Sequence, residues 1–256
     1  LLFAEHLQSV MQLNELSEIV YFERNRVGYL TFNFYNGAMD SEQCDCLRRA
    51  IIEARTNHIR VLVLLGGEDF WSNGIHLNRI EEAHSPADES WRNIEAMNDL
   101  TREILNTQNL ITISALRGNA GAGGVFLALA ADCVFARTGV ILNPHYKSMG
   151  NLFGSEYWTY SLPRRTGSEA LARKIVEQRL PFGSHESKEV GLIDDFFGSH
   201  SMDFELQVSQ RAEALAQRPD YDSVLEKKKK ERELYEIKKP LESHREFEME
   251  QMKLNF

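Results

Sequence analysis

The sequence predicts an α/β fold on three observations. Short apolar runs alternate with longer amphipathic stretches. Two of the runs are apolar at nearly every position, as strands covered on both faces are. Each run ends in small or turn residues before a helical pattern begins. Residues 1–17 space their apolar side chains as an amphipathic helix, read as a connector. They lack a basic start and carry acids, unlike a signal peptide. The absence of an initiator Met fits a piece excised from a longer protein. "RVGYLTFNF" (26–34) is rich in β-formers and reads as a strand. "SEQCDCLRRAIIEAR" (41–55) takes Ser41 as its expected cap and then follows helical spacing. "IRVLVLLGG" (59–67) reads as a buried strand. The helix 85–105 has Ser85 as cap, Pro86 at its first position and Asp88 in the capping-box place. Trp91, Ile94, Met97 and Ile104 form its apolar stripe. "LITISAL" (110–116) is a second buried strand, followed by a glycine-rich turn and an apolar helix. "CVFAR" and "VILNP" read as short strands, and 167–178 as a helix. Beyond about residue 204 the stretches are charged and helical, a peripheral or subunit-facing extension. The expected organisation is a connector (1–17), a core (18–203) and a C-terminal helical extension (204–256).

Composition narrows the function classes. A chain of 256 residues with 43% hydrophobic and 26% charged residues is ordinary for one large globular domain. A net charge of −9 argues against nucleic acid as a partner. Cys44, Cys46 and Cys133 have no framework spacing and read as reduced thiols of a cytoplasmic protein. Cys-Asp-Cys without a second ligand pair argues against a metal. No stretch approaches the ~18 apolar residues that span a membrane.

"RGNAGAGGVFLALAAD" (117–132) sets four glycines ahead of an apolar helix. It lacks the lysine of a phosphate-binding P-loop, and the third glycine of a dinucleotide fingerprint is replaced by Phe126. The chain also lacks a nucleophile elbow. What remains is a strand, a small-residue turn and a helix. Such a helix start offers unpaired N–H groups and a positive dipole end, from which an oxyanion hole can be built without side chains. The same glycines would equally let the helix pack tightly on the sheet. A second turn of this kind, "VLLGGEDFWSNGIHL" (63–77), makes a convergent pair of donors more specific than either turn.

The most informative side chains lie in "NPHYKSMGNLFGSEYWTYSLP" (143–163). Glu156 stands among Tyr146, Tyr157, Trp158 and Tyr160, where desolvation would raise its pKa toward use in proton transfer. Alternatively it caps a helix or pairs with Arg164 or Arg165, with Tyr146 merely packed. His76 and His145 read as structural, and the three tryptophans as core or pocket wall. The run Lys227 to Lys230 reads as a solvated face or a contact to a ligand phosphate.

"FWSNGIHLN" and "ALRGNAGAGGVFLALAADCVFA" resemble the two oxyanion-hole segments of the crotonase, or enoyl-CoA hydratase/isomerase, superfamily. "NGAMDSEQCDCLRRAI" resembles that family's first CoA-contacting turn. The resemblance implies a crotonase-like spiral of β-β-α units, C-terminal helices that often build trimers, and a coenzyme A thioester as ligand. By position it implies oxyanion donors at the N–H groups of Ile75 and Gly123, and CoA contacts near Ala38, Met39, Ser72 and Gly74. The chain also departs from the family. Phe126 and Tyr146 stand where hydratases carry their two catalytic glutamates, and His76 stands where an aspartate is usual. Simple hydration is therefore not expected. Within the superfamily, "GGEDFWSNGIHLNRIE" and "LNPHYKSMGNLFGSEYWTYSLPRR" resemble the C-terminal half of a two-part family that matures nickel–iron hydrogenases. That resemblance implies decarbonylation of formyl-CoA to carbon monoxide and CoA, with Glu156 as general base and acid and Tyr146 as hydrogen-bond donor. It implies two partners as well: an upstream formyltransferase-like part, absent from this chain, and the hydrogenase maturation machinery. The competing expectations are a hydratase or isomerase acting on a short acyl-CoA with Glu156 alone, and a non-catalytic CoA-binding assembly module.

Overall fold

The computed structural model describes residues 11–12, 18–147 and 150–254, with Met11 and Gln12 described by backbone alone. Its strands begin with β1 (Met11–Gln12), β2 (Ile19–Arg24), β3 (Val27–Phe32) and β4 (Ala38–Met39). Met11 and Gln12 pair antiparallel with β2, which corrects the helix expected there. The rest of 1–17 lies outside the described residues. Helix α1 (Ser41–Ala54) begins at Ser41 itself, so its cap lies one residue earlier than expected. Asp40 caps it, accepting from Gln43 N–H, while the Gln43 side chain accepts from Asp40 N–H.

The order continues with β5 (Val61–Leu65), β6 (Phe70–Ser72), β7 (Gly74–Ile75), α2 (Leu77–Glu82), α3 (Pro86–Leu105), β8 (Ile111–Leu116), β9 (Asn119–Gly121) and α4 (Gly123–Leu129). It closes with β10 (Cys133–Arg137), β11 (Leu142–Asn143), α5 (Trp158–Thr166), α6 (Glu169–Glu177), α7 (Ser184–Glu189), β12 (Asp195–Phe197), α8 (Ser201–Ala216), α9 (Tyr221–Lys238) and α10 (Leu241–Lys253). Three successive units have one plan. A strand of the seven-stranded sheet (β5, β8, β10) leads to a strand of the three-stranded sheet (β6, β9, β11), and then to helix. Pairing is parallel from β3 through β5, β8 and β10 to β12. This is the expected spiral of β-β-α units.

The continuous apolar runs have a simple cause. Leu62 and Leu64 of β5 face the core under α1, α3 and α4. Val61, Val63 and Leu65 face a second cluster, against Phe204, Val208 and Ala212 of α8. A strand covered on both faces has no side left for polar residues.

Ser85 does precede α3, but its hydroxyl donates to Asp88 rather than capping the backbone. Helix α5 carries no local start signal and contains Pro163, so sequence pattern missed it. The C-terminal region is not uniformly peripheral: Glu248, Met249 and Met252 of α10 are buried. The lysine run is not uniformly solvated either. Lys228 Nζ donates to Asp132 Oδ2 at 2.6 Å and to Leu110 O at 2.8 Å, which pins α9 to the sheet. Among the described residues, no helix is long and apolar enough to cross a membrane.

Candidate active site

The two glycine turns meet. Strands β6 and β9 pair in parallel, setting Ser72 opposite Ala120. Gly74 follows one and Gly123 the other, so close that a Cβ on Gly74 would lie 3.2 Å from Gly123 N. Gly123 opens α4, where its N–H precedes the intrahelical ladder. Ala122 before it takes φ 47° and ψ −126°, a conformation ordinarily glycine's, which sets the plane of the peptide carrying that N–H.

Glu156 comes to the same place. Its carboxylate is 2% exposed, and a Cβ on Gly123 would stand 2.7 Å from its Oε1. The glycine here is required by contact, since any side chain would displace the carboxylate. Tyr146 donates its hydroxyl to Glu156 Oε2. Neither Arg164 nor Arg165 holds this carboxylate: Arg165 pairs with Asp194, and Arg164 lies over the rings of Tyr160 and Tyr235. Burial raises the Glu156 pKa, while the bonds from Tyr146 and Ser155 pull it the other way. Burial and the neighbouring Glu156 charge push Tyr146 well above the usual phenol value, so it stays a donor at neutral pH. Phe126, at the position of a hydratase acid, stacks on the Tyr146 ring with centroids 5.5 Å apart and planes 21° apart. It helps fix the donor's direction.

Backbone geometry aims the carboxylate. Glu156 and Tyr157 are consecutive left-handed residues, with φ of 60° and 57°, a conformation that costs L-residues roughly 1–2 kcal/mol each. Side chains from distant elements hold them. Asn98 Oδ1 of α3 accepts from Glu156 N–H at 2.7 Å, and Glu248 Oε2 of α10 accepts from Tyr157 N–H at 2.8 Å. Sequence reading missed both residues. The one available signal was a polar side chain within an otherwise apolar helical face.

The expected CoA-contact positions also gather. Ala38 and Met39 pair in parallel with Gly74 and Ile75. Met39 is buried. Ser72 is buried too, and its Oγ accepts from Gly74 N–H at 3.1 Å, shaping the turn. Asn93 binds this ladder to α3, donating to Met39 O and accepting from His76 N–H, both at 3.0 Å. The His76 Nδ1 accepts from Arg79 N–H and so caps α2.

Ile75, Gly123, Tyr146, Glu156, Leu152 and Met252 line a cavity of about 40 Å³. That is room for two or three atoms beyond hydrogen. A larger groove of about 940 Å³, between α9 and the core, contains none of these six residues.

The enoyl-CoA hydratase/isomerase family model matches residues 23–253, and the chain belongs to that family. Within it, the chain is 49% identical to the hydrogenase maturation factor HoxX of Bradyrhizobium diazoefficiens, over 93% of this chain and 42% of the relative. It is 50% identical to HypX from Aquifex aeolicus, solved with tetrahydrofolic acid, with a TM-score of 0.88 over 93% of this chain and 42% of that one. The chain thus spans less than half the length of these relatives. An enoyl-CoA hydratase from Bacillus halodurans shares the fold at 20% identity, with a TM-score of 0.80.

Proposed function

We propose that this chain binds a coenzyme A thioester and decarbonylates formyl-CoA. One observation carries the reading: a buried carboxylate, hydrogen-bonded by Tyr146 and pressed against Gly123, faces a cavity of about 40 Å³. The carboxylate can move a proton, and the space suits a one-carbon acyl group rather than a long chain. The relative's complex with tetrahydrofolic acid, a carrier of one-carbon units, supports the same substrate class.

In this mechanism the Ile75 and Gly123 N–H groups hold the thioester oxygen. The Glu156 carboxylate removes the formyl proton. As the C–H pair collapses onto carbon, the C–S bond breaks and its electrons leave with sulfur. Protonated Glu156 then returns its proton to the thiolate, giving carbon monoxide and CoA thiol. Tyr146 steadies the carboxylate throughout. Product would pass to hydrogenase maturation, and formyl-CoA would come from a formyltransferase-like part of the longer protein.

A hydratase or isomerase reading with Glu156 alone is weaker, because Phe126 and Tyr146 occupy the family's acid positions and the cavity is small. The test supplies formyl-CoA to the purified chain and traps carbon monoxide on a haem protein. Release above the spontaneous rate is expected. A rate equal to the spontaneous one at full CoA occupancy refutes the proposal.

A further inference from the structure

Helix α10 places a second buried carboxylate behind the loop that carries Glu156. Glu248 is fully buried. Its Oε2 accepts from Tyr157 N–H at 2.8 Å; its Oε1 accepts from Thr159 N–H at 2.8 Å and from the Thr159 hydroxyl at 2.7 Å. These donors belong to the start of α5, whose N-terminal N–H groups lie beyond its own ladder. Glu248 therefore acts as a helix cap delivered from 91 residues downstream of Tyr157. His244, one turn earlier on α10, stands with Nδ1 2.9 Å from Thr159 Oγ1.

The same helix holds the other side of the loop. Asn98 accepts from Glu156 N–H and donates to Met249 Sδ at 3.2 Å, and Gly154 N–H donates to Met252 Sδ at 3.1 Å. Two consecutive left-handed residues thus have their N–H groups gripped by two different helices, α3 and α10. Rotating that pair would swing the Glu156 side chain off both Tyr146 and Gly123.

We infer that Glu248 is a positioning residue: it fixes the left-handed Glu156–Tyr157 pair and thereby aims the Glu156 carboxylate at Tyr146 and the oxyanion donors. The inference rests on the reading of Glu156 as the proton-transfer group. Glu248→Gln keeps the shape but turns an amide N–H₂ toward at least one backbone donor, so one grip becomes a repulsion.

Two measurements on the full chain test this. The first is the carbon-13 shift of the Tyr146 phenol carbon, assigned with Tyr146→Phe, which reports the contact with Glu156 whether or not the protein turns over. The second is formyl-CoA kinetics. Glu248→Gln should move the Tyr146 resonance in the direction produced by Glu156→Gln. It should lower kcat about 10- to 100-fold and leave KM and CoA affinity within about twofold. Thr159→Val, which takes the hydroxyl from Glu248 and from His244 but leaves both backbone donors, should move the resonance the same way by less, and it serves as the test if Glu248→Gln does not fold. An unmoved resonance in the folded variant overturns the inference, as does equal loss of kcat and CoA affinity. Absence of carbon monoxide from the parent protein would count against the catalytic reading, while the resonance still decides the positioning role.

Discussion

Two regions build the candidate site in opposite ways. The glycine turns around Gly74 and Gly123, proposed to hold the thioester oxygen, are local products: a strand ends, small residues follow and a helix begins. Their donors are backbone atoms. The loop carrying Glu156 is assembled from afar. Tyr146 lies ten residues away, Asn98 sits on α3 and Glu248 on α10. Backbone donors survive many side-chain changes, whereas an aimed carboxylate depends on every residue that grips its loop. The first region suits a device shared across a family, and the second suits the part that differs between members.

The largest expected effect lies in the second region. Glu156→Gln keeps the shape and removes the base, so kcat should fall by about 10³-fold or more, near the upper range for general base catalysis, with CoA still bound. Carbon monoxide trapping and calorimetry with CoA check both halves. Gly123→Ala comes next and probes where the regions touch. Its methyl would press on Glu156 Oε1, so a fall of about 100-fold is expected. In the double variant with Tyr146→Phe the losses should combine to less than their product. Full additivity would mean that the two regions work independently.

Tyr146→Phe keeps a ring on Phe126 but removes the hydroxyl that lowers the Glu156 pKa. Glu156 should then hold its proton to higher pH. The acidic limb of the kcat profile should move upward, with a rate loss of about tenfold. A limb that moves downward or stays fixed would contradict the assigned hydrogen bond.

The smallest effect concerns stability. Burial, with a smaller push from the Glu156 charge, raises Glu248 from 4.5 to about 8 against the opposing bonds from Thr159 and Tyr157. Nearby His244 is held down to about 4 by burial and stays neutral across the range. A carboxyl raised in the folded state contributes stability that is complete below about pH 4.5 and lost as pH climbs toward 8. Relative to the parent, Glu248→Gln should gain thermal stability between pH 5 and 8, by a few degrees. Melting curves at several pH values would show it, and a difference constant with pH would place the titration elsewhere.

Legibility in the sequence follows the same division. The runs of β5 and β8 were readable because both faces are covered. The convergent glycine turns were readable because spacing alone defines them. Glu156 and Tyr146 were named from family likeness, and the geometry joins them directly. Helix α5 was not readable, since its cap comes from Glu248 and no local residue announces its start. Asn98 is hidden in the α3 pattern, and α10 reads as periphery because its charged residues outnumber the few it buries.

The downstream cap also carries a consequence for synthesis. The strands and the glycine turns can form as the ribosome delivers them. The loop bearing Glu156 has to wait, because Asn98 of α3 can take the Glu156 N–H early but the Tyr157 N–H is taken up only when α10 emerges and folds back. A nascent chain would therefore form its glycine turns before the Glu156 carboxylate is set, so completion of the site waits on α10.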